Sequence, residues 1–199
     1  LQNADLQEYY LKPLLAKLYS IDADLHSLAA LCEQEKIVGW SHGGPEALFF
    51  ATVMYIGSNR DMRCHLVGEL LKEYTDDSRY FDSDSMNNQQ HATTFMEQIN
   101  KGLVEAAITS ENVSCHLEGA MQMGRKRVEH IVSNTHRRAY GRAALTLGAM
   151  AEMLVMQGQK QQAKELINKY YFQLFNRHPA FRREVKGVVA SSGLLKGML

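Results

Sequence analysis

The sequence predicts an all-α fold, a compact orthogonal or bundle-like array of roughly eight to nine helices. Three observations carry this expectation. No stretch of four or more residues alternates cleanly with the β-branched or aromatic content of a strand. Apolar residues return instead at steps of three and four, the spacing that lines one face of a helix. Between 139 and 175, two such apolar seams are separated by a glycine, the pattern of a helical hairpin.

Taken in order, a first helix is expected over about 5–20, carrying Leu6, Tyr9, Tyr10, Leu14 and Leu18, with Pro13 bending it or splitting off its first turn. A second runs from Asp22 or Asp24 to about Lys36, with Leu25, Leu28, Leu31 and Cys32 on one face. The turn Trp40-Ser41-His42-Gly43-Gly44 leads to Pro45, which suits a first helical position. The helix it opens, about 45–56, is apolar nearly all round and is expected to lie at the centre of the core. Ser58, with Asp61 three residues on, resembles an N-terminal cap opening a helix to about 74. Residues 75–90, rich in Asp, Ser and Asn, form the one long loop. They divide an acidic N-terminal helical subdomain, 1–75, from a basic C-terminal one, 91–199, with 76–90 as a flexible acidic loop. Further helices are expected at about 91–108 and 112–134, from Pro179 to about 189, and briefly after Ser191 and Ser192.

The hairpin is the sharpest pattern. Tyr140, Ala144, Leu147, Ala151 and Leu154 form its first seam, and Ala163, Leu166, Ile167, Tyr170 and Leu174 its second, with Gly158 between them. Ala151 and Ala163 allow close approach across the turn. The spacing Leu147-x2-Met150-Ala151-x2-Leu154-x3-Gly158-x4-Ala163-x3-Ile167-x2-Tyr170 resembles a tetratricopeptide-type hairpin. The resemblance covers about 30 residues and has no second copy at a fixed period, whereas stacked repeats need three or more.

Charge is unevenly distributed. Lys+Arg and Asp+Glu both number 22. Residues 1–120 nevertheless hold 18 acidic against 8 basic side chains, and residues 121–199 hold 4 against 14. A split of −10 and +10 pairs within the fold, drives self-association, or offers a basic surface to a polyanion. The basic residues fall in two groups. Arg125, Lys126, Arg127, His130, Arg137, Arg138 and Arg142 form the first; Arg177, His178, Arg182, Arg183 and Lys186 form the second. On a wheel, Lys126, Arg127, His130, Asn134, Arg137 and Arg138 occupy an arc of roughly 120°. The apolar stripes on either side of 134–139 point in different directions, which calls for a break in the helix there. Such groups grip phosphates without base specificity, and the aromatics Tyr170, Tyr171, Phe172, Phe175 and Phe181 either fill the core or stack on exposed bases.

Catalytic and metal patterns are sparse. Cys64-His65 and Cys115-His116, with Cys32 and His91, lack the close ligand spacing of zinc sites. There is no Gly-x-Ser-x-Gly, no phosphate-binding glycine loop and no His-Glu-x-x-His. The N-terminus of the helix at Pro45, beside Ser41 and His42, is the one spot suited to an anion or to chemistry. No catalytic, cofactor or metal residue is therefore assigned. The three cysteines read as reduced core thiols of a cytoplasmic or nuclear protein without a secretory leader. The longest apolar runs fall far short of the ~20 residues of a membrane span.

The function expected from these features is a non-enzymatic helical module that binds a protein partner or itself as a homo-oligomer, oriented by its polar charge distribution. The alternative is an RNA- or single-stranded nucleic-acid-binding protein using the basic groups at 125–142 and 177–186; a small helical enzyme stands third.

Overall fold

A helix with one charged side chain and apolar residues on every side is stable only when protein surrounds it. The segment Pro45–Gly57 (α3) is such a helix, and all its residues except Glu46 are buried. In the computed structural model, which describes residues 12, 14–33, 45–61, 63–75, 88–109 and 111–199, α3 lies against four other helices. The expected loop at 75–90, the turn at Trp40–Gly44 and the start of the first helix fall largely outside the described residues.

Among the described residues the chain is helical throughout, with no strand. Residues 14–21 form α1, followed by α2 (Leu25–Glu33) and α3. Next come α4 (His65–Thr75), α5 (Asn88–Glu105) and α6 (Ser114–Ser133). A 3-10 turn at Arg137–Ala139 leads into α7 (Tyr140–Met156). The chain continues as α8 (Lys160–Asn168), a π-helical turn (Lys169–Leu174) and α9 (Pro179–Ser191). The array is thus all-α, with nine α-helices among the described residues.

The core is organised around α3 and α7. α3 packs on α2, α4, α6 and α7, while α7 packs on α3, α4, α6, α8 and α9. Glycines permit the tightest crossings. A Cβ on Gly124 of α6 would meet the Phe50 ring at 2.6 Å and Met150 Sδ at 2.9 Å. One on Gly148 of α7 would meet Val188 at 2.5 Å and Leu66 at 2.8 Å. Ala151 and Ala163 are fully buried where α7 and α8 fold back on each other.

Helix ends follow one rule. α7 closes with Gly158 at φ +77°, the Gly158 N–H bonding to Val155 O at 3.0 Å and the Gln159 N–H to Leu154 O at 2.8 Å. This is the Schellman arrangement, which satisfies two orphan carbonyls. The same pair of bonds ends α3 around Asn59, α5 around Ala107 and α6 around Thr135. Ala23 takes the same left-handed conformation after α1, where the Asp24 N–H reaches Tyr19 O at 2.9 Å.

Several expectations are corrected. Ser58, Asn59 and Arg60 close α3 and do not open α4: Asn59 and Arg60 both have φ 56°, and Ser58 Oγ donates back to Tyr55 O at 2.8 Å. The first turn of α4 is instead capped from a distance by Glu152, as described below. The second arm of the hairpin leaves the α conformation after Asn168 and widens into the π turn. Residues after Ser192 form turns and no short helix. Of the three free cysteines, Cys64 is buried and Cys32 partly so, but Cys115 is exposed and is not a core thiol.

Candidate anion-binding pocket

The break expected between 134 and 139 builds a concavity lined by basic side chains. α6 stops at Ser133 because the Thr135 N–H turns back to Val132 O (3.1 Å) and the His136 N–H to Ile131 O (3.0 Å). The chain then reverses through the 3-10 turn into α7. The corner leaves an open pocket of about 430 Å³ lined by four arginines (Arg127, Arg137, Arg138, Arg142), two histidines (His130, His136), Ile131 and Ala139. No carboxylate is among its described lining residues.

These side chains differ in how they are held. Arg127 is only 8% exposed, so it leaves the solvated basic stripe expected from the wheel and becomes an inner wall of the pocket. Arg142 is half-buried, its Nε 3.7 Å from Glu73 Oε1 on α4. Arg137 and Arg138 are exposed and have no ion-pair partner among the described residues. The Asn134 side chain donates to His130 O at 2.9 Å and lies 3.2 Å from His130 Nδ1. The His130 and His136 rings stand 5.7 Å apart, tilted by 35°. Like charges gathered in a concave site without lining carboxylates raise the local anion concentration.

The remaining basic candidates divide. Arg125 pairs with Glu118 at 3.4 Å, and Arg183 Nε lies 3.8 Å from Glu184 Oε1; neither lines the pocket. Lys126, Arg177 and Lys186 are exposed, without an ion-pair partner among the described residues. The start of α9 is nevertheless brought beside the pocket. Tyr140, the residue after the 3-10 turn, has its hydroxyl 3.4 Å from His178 Nδ1 and its ring 5.8 Å from that of Phe181. The second basic group therefore begins where the pocket-bearing turn ends. Sequence reasoning missed His136 and the bridging role of Tyr140. Only the position of His136 between Asn134 and Arg137 signalled the former.

Of the five aromatics, Tyr170, Phe175 and Phe181 are core, packed through Phe175 at centroid distances of 6.0 and 5.5 Å. The Tyr170 hydroxyl donates to Glu129 Oε1 at 2.7 Å. Burial, then that bond to a carboxylate, push the phenol above its ordinary range. Tyr171 is partly buried and Phe172 is 53% exposed.

Elsewhere, polar chemistry is structural. Glu152, with no exposed surface, accepts Ser192 Oγ–H at 2.6 Å and the Leu66 and Val67 N–H groups at 3.0 and 3.4 Å. It thereby ties the N-terminus of α4 to the end of α9. Burial and the nearby Glu152 push the Cys64 thiol up to about 12, which removes it as a nucleophile at neutral pH. Among the described residues no group of three His, Cys, Asp or Glu side chains gathers as a metal site. No described helix is long and apolar enough to cross a membrane. Ser41 and His42 lie outside the described residues.

Comparison with known proteins finds no matching family model, curated protein or solved structure. The tetratricopeptide-like spacing accordingly stands as a likeness of one helical hairpin, α7–α8.

Proposed function

We propose that the protein binds nucleic acid by its phosphate backbone, with the corner between α6 and α7 as the principal contact. The observation that carries this reading is the pocket itself: four guanidinium groups and two imidazoles around one open concavity, with no carboxylate among its described lining residues. Guanidinium groups present paired N–H donors matched to phosphate oxygens, and exposed Arg137 and Arg138 add this to the long-range attraction. The contacts of Tyr140 with His178 and Phe181 bring the start of α9, and with it the second basic group, next to the turn that bears this pocket. Backbone contacts of this kind give affinity that falls with salt and little sequence preference.

The test is fluorescence anisotropy with labelled RNA and DNA across a salt series. Wild type is expected to bind with a linear fall of log affinity against log salt. The double variant Arg137→Ala/Arg138→Ala is expected to bind more weakly and to reduce the slope by about two, one per lost phosphate contact. Binding that ignores salt, or a double variant indistinguishable from wild type, overturns the proposal.

A second reading keeps the protein partner. The imbalance of −10 over 1–120 and +10 over 121–199 also suits docking of the acidic part of one copy on the basic part of another. It is supported by Lys126, Arg177 and Lys186, which lack ion-pair partners among the described residues. Sedimentation of the free protein distinguishes the two. Association at low salt that dissolves at moderate salt supports this reading, and a monomer throughout removes it.

A further inference from the structure

The π-helical turn at Lys169–Leu174 exposes apolar surface for a local reason. The Phe175 N–H bonds to Tyr170 O at 3.3 Å, five residues back, and both of these aromatic side chains are buried. The widened turn between them holds Phe172 at 53% and Leu174 at 46% exposure. π turns recur at functional sites because they displace side chains from the regular helical track.

A guanidinium stands beside these rings. Tyr171 and Phe172 stand edge to face, centroids 4.7 Å apart at 77°. Arg182 Cζ lies 4.4 Å from the Tyr171 ring centroid, within cation–π range. That guanidinium has no carboxylate partner among the described residues. A terminal nitrogen donates to Asn176 O at 3.4 Å, and its Nε is buried without a hydrogen-bond partner among the described residues.

A chain of contacts also links the aromatic surface to the turn that bears the pocket. Arg182 sits one turn after His178, its N–H on His178 O at 3.0 Å. His178 meets Tyr140, and Tyr140 follows Ala139 in the pocket lining.

We infer that the π turn is a base-stacking shelf: Phe172 and the Tyr171–Arg182 pair take the bases of a single-stranded nucleic acid whose phosphates occupy the Arg137–Arg138 pocket. This rests on the nucleic-acid reading above and adds the class of strand. Every base has a π face, so aromatic shelves beside cationic grooves hold single strands without reading sequence. A duplex keeps those faces inside its own stack and offers only phosphates here. The shelf therefore makes the protein prefer single strands, whereas the pocket alone does not.

The experiment compares three probes, a labelled oligouridine, an RNA duplex of equal length and inorganic polyphosphate, on wild type, Phe172→Ala and Arg137→Ala/Arg138→Ala. Phe172 is exposed, so its truncation leaves the core intact, as circular dichroism would verify. Phe172→Ala is expected to weaken oligouridine about tenfold, with duplex and polyphosphate affinities and the salt slope unchanged. Phe172→Trp is expected to keep or tighten oligouridine binding. The arginine pair is expected to weaken all three probes. Oligouridine affinity unchanged in Phe172→Ala, or duplex affinity falling equally, overturns the shelf while leaving the pocket standing. Absence of salt-dependent binding to every probe overturns both.

Discussion

Glu152 lies in the most apolar stretch of α7, between Ala151 and Met153, with no exposed surface. Its nearest cationic candidate is His65, whose Nδ1 is 3.6 Å from Oε1. Burial lifts the carboxyl above the ordinary glutamate range, while the hydrogen bonds from Ser192, Val67 and Leu66 and the neighbouring His65 pull it back down. A folded-state value above the unfolded one means that folding favours the protonated form. The stability this group contributes is complete below the ordinary value, about 4.3, and is lost as pH rises from there through the elevated folded value. Glu152→Gln, neutral throughout, is therefore expected to gain thermal stability relative to wild type as pH is raised across that window. A melting-temperature difference that stays constant from acid to neutral pH would exclude this. Glu152→Ala, which orphans two backbone donors and the Ser192 hydroxyl and leaves a void, is expected to cost about 2–4 kcal/mol in urea denaturation. The residue was hard to find in the sequence. A lone carboxylate inside an apolar helix was the sole signal, and its partners stand 40 and 86 positions away.

At the scale of elements, the apolar periodicities were legible, as were the starts at Pro45 and Pro179 and the break after α6, whereas most of the residues that close the helices were not. α3 and the arms of the hairpin could be read because their side chains alone determine which faces are buried. Ends depend on the residue that turns left-handed after the last turn, and only at Gly158 did its identity announce this. Ala23, Asn59, Ala107 and Thr135 adopt φ of 52–58° in the same role. That is why Ser58-Asn59 was taken for a beginning. Thr135 is the costliest of these, since a β-branched side chain is a poor occupant of that region. Thr135→Gly is expected to stabilise the protein by about 0.5–1 kcal/mol, the relief of left-handed strain less the extra unfolded-state freedom of glycine. Chemical denaturation would show it as a higher midpoint with unchanged slope; an unchanged or lower midpoint would show that the turn bears no strain. The π turn had no sequence signal, because it follows from where Tyr170 and Phe175 can both reach the core.

Over the whole molecule, the first basic group was visible because its members are neighbours in the chain. Its conversion into a pocket, the withdrawal of Arg127 and the arrival of α9 were not visible. They depend on how α7 packs between α6 and α9. A protein with equal numbers of acidic and basic residues still gathers four arginines around one corner. A ligand that binds only the folded pocket stabilises the fold by mass action, by about 2.7 kcal/mol at a hundred times its dissociation constant. Inorganic polyphosphate is expected to raise the melting temperature of wild type at low salt and to do so far less for Arg137→Ala/Arg138→Ala. Equal shifts in the two proteins would place the polyanion elsewhere.

The carboxylate at position 152 also joins segments far apart in the chain. The amides of Leu66 and Val67 find their acceptor 86 and 85 residues further along the chain, so until α7 docks those two donors of the opening turn of α4 have water in place of the carboxylate. The hydrogen bonds of α6 are local, whereas the front of α4 gains its cap only through a contact that spans nearly half the chain. A single carboxylate thereby makes the early and late parts of the sequence depend on each other.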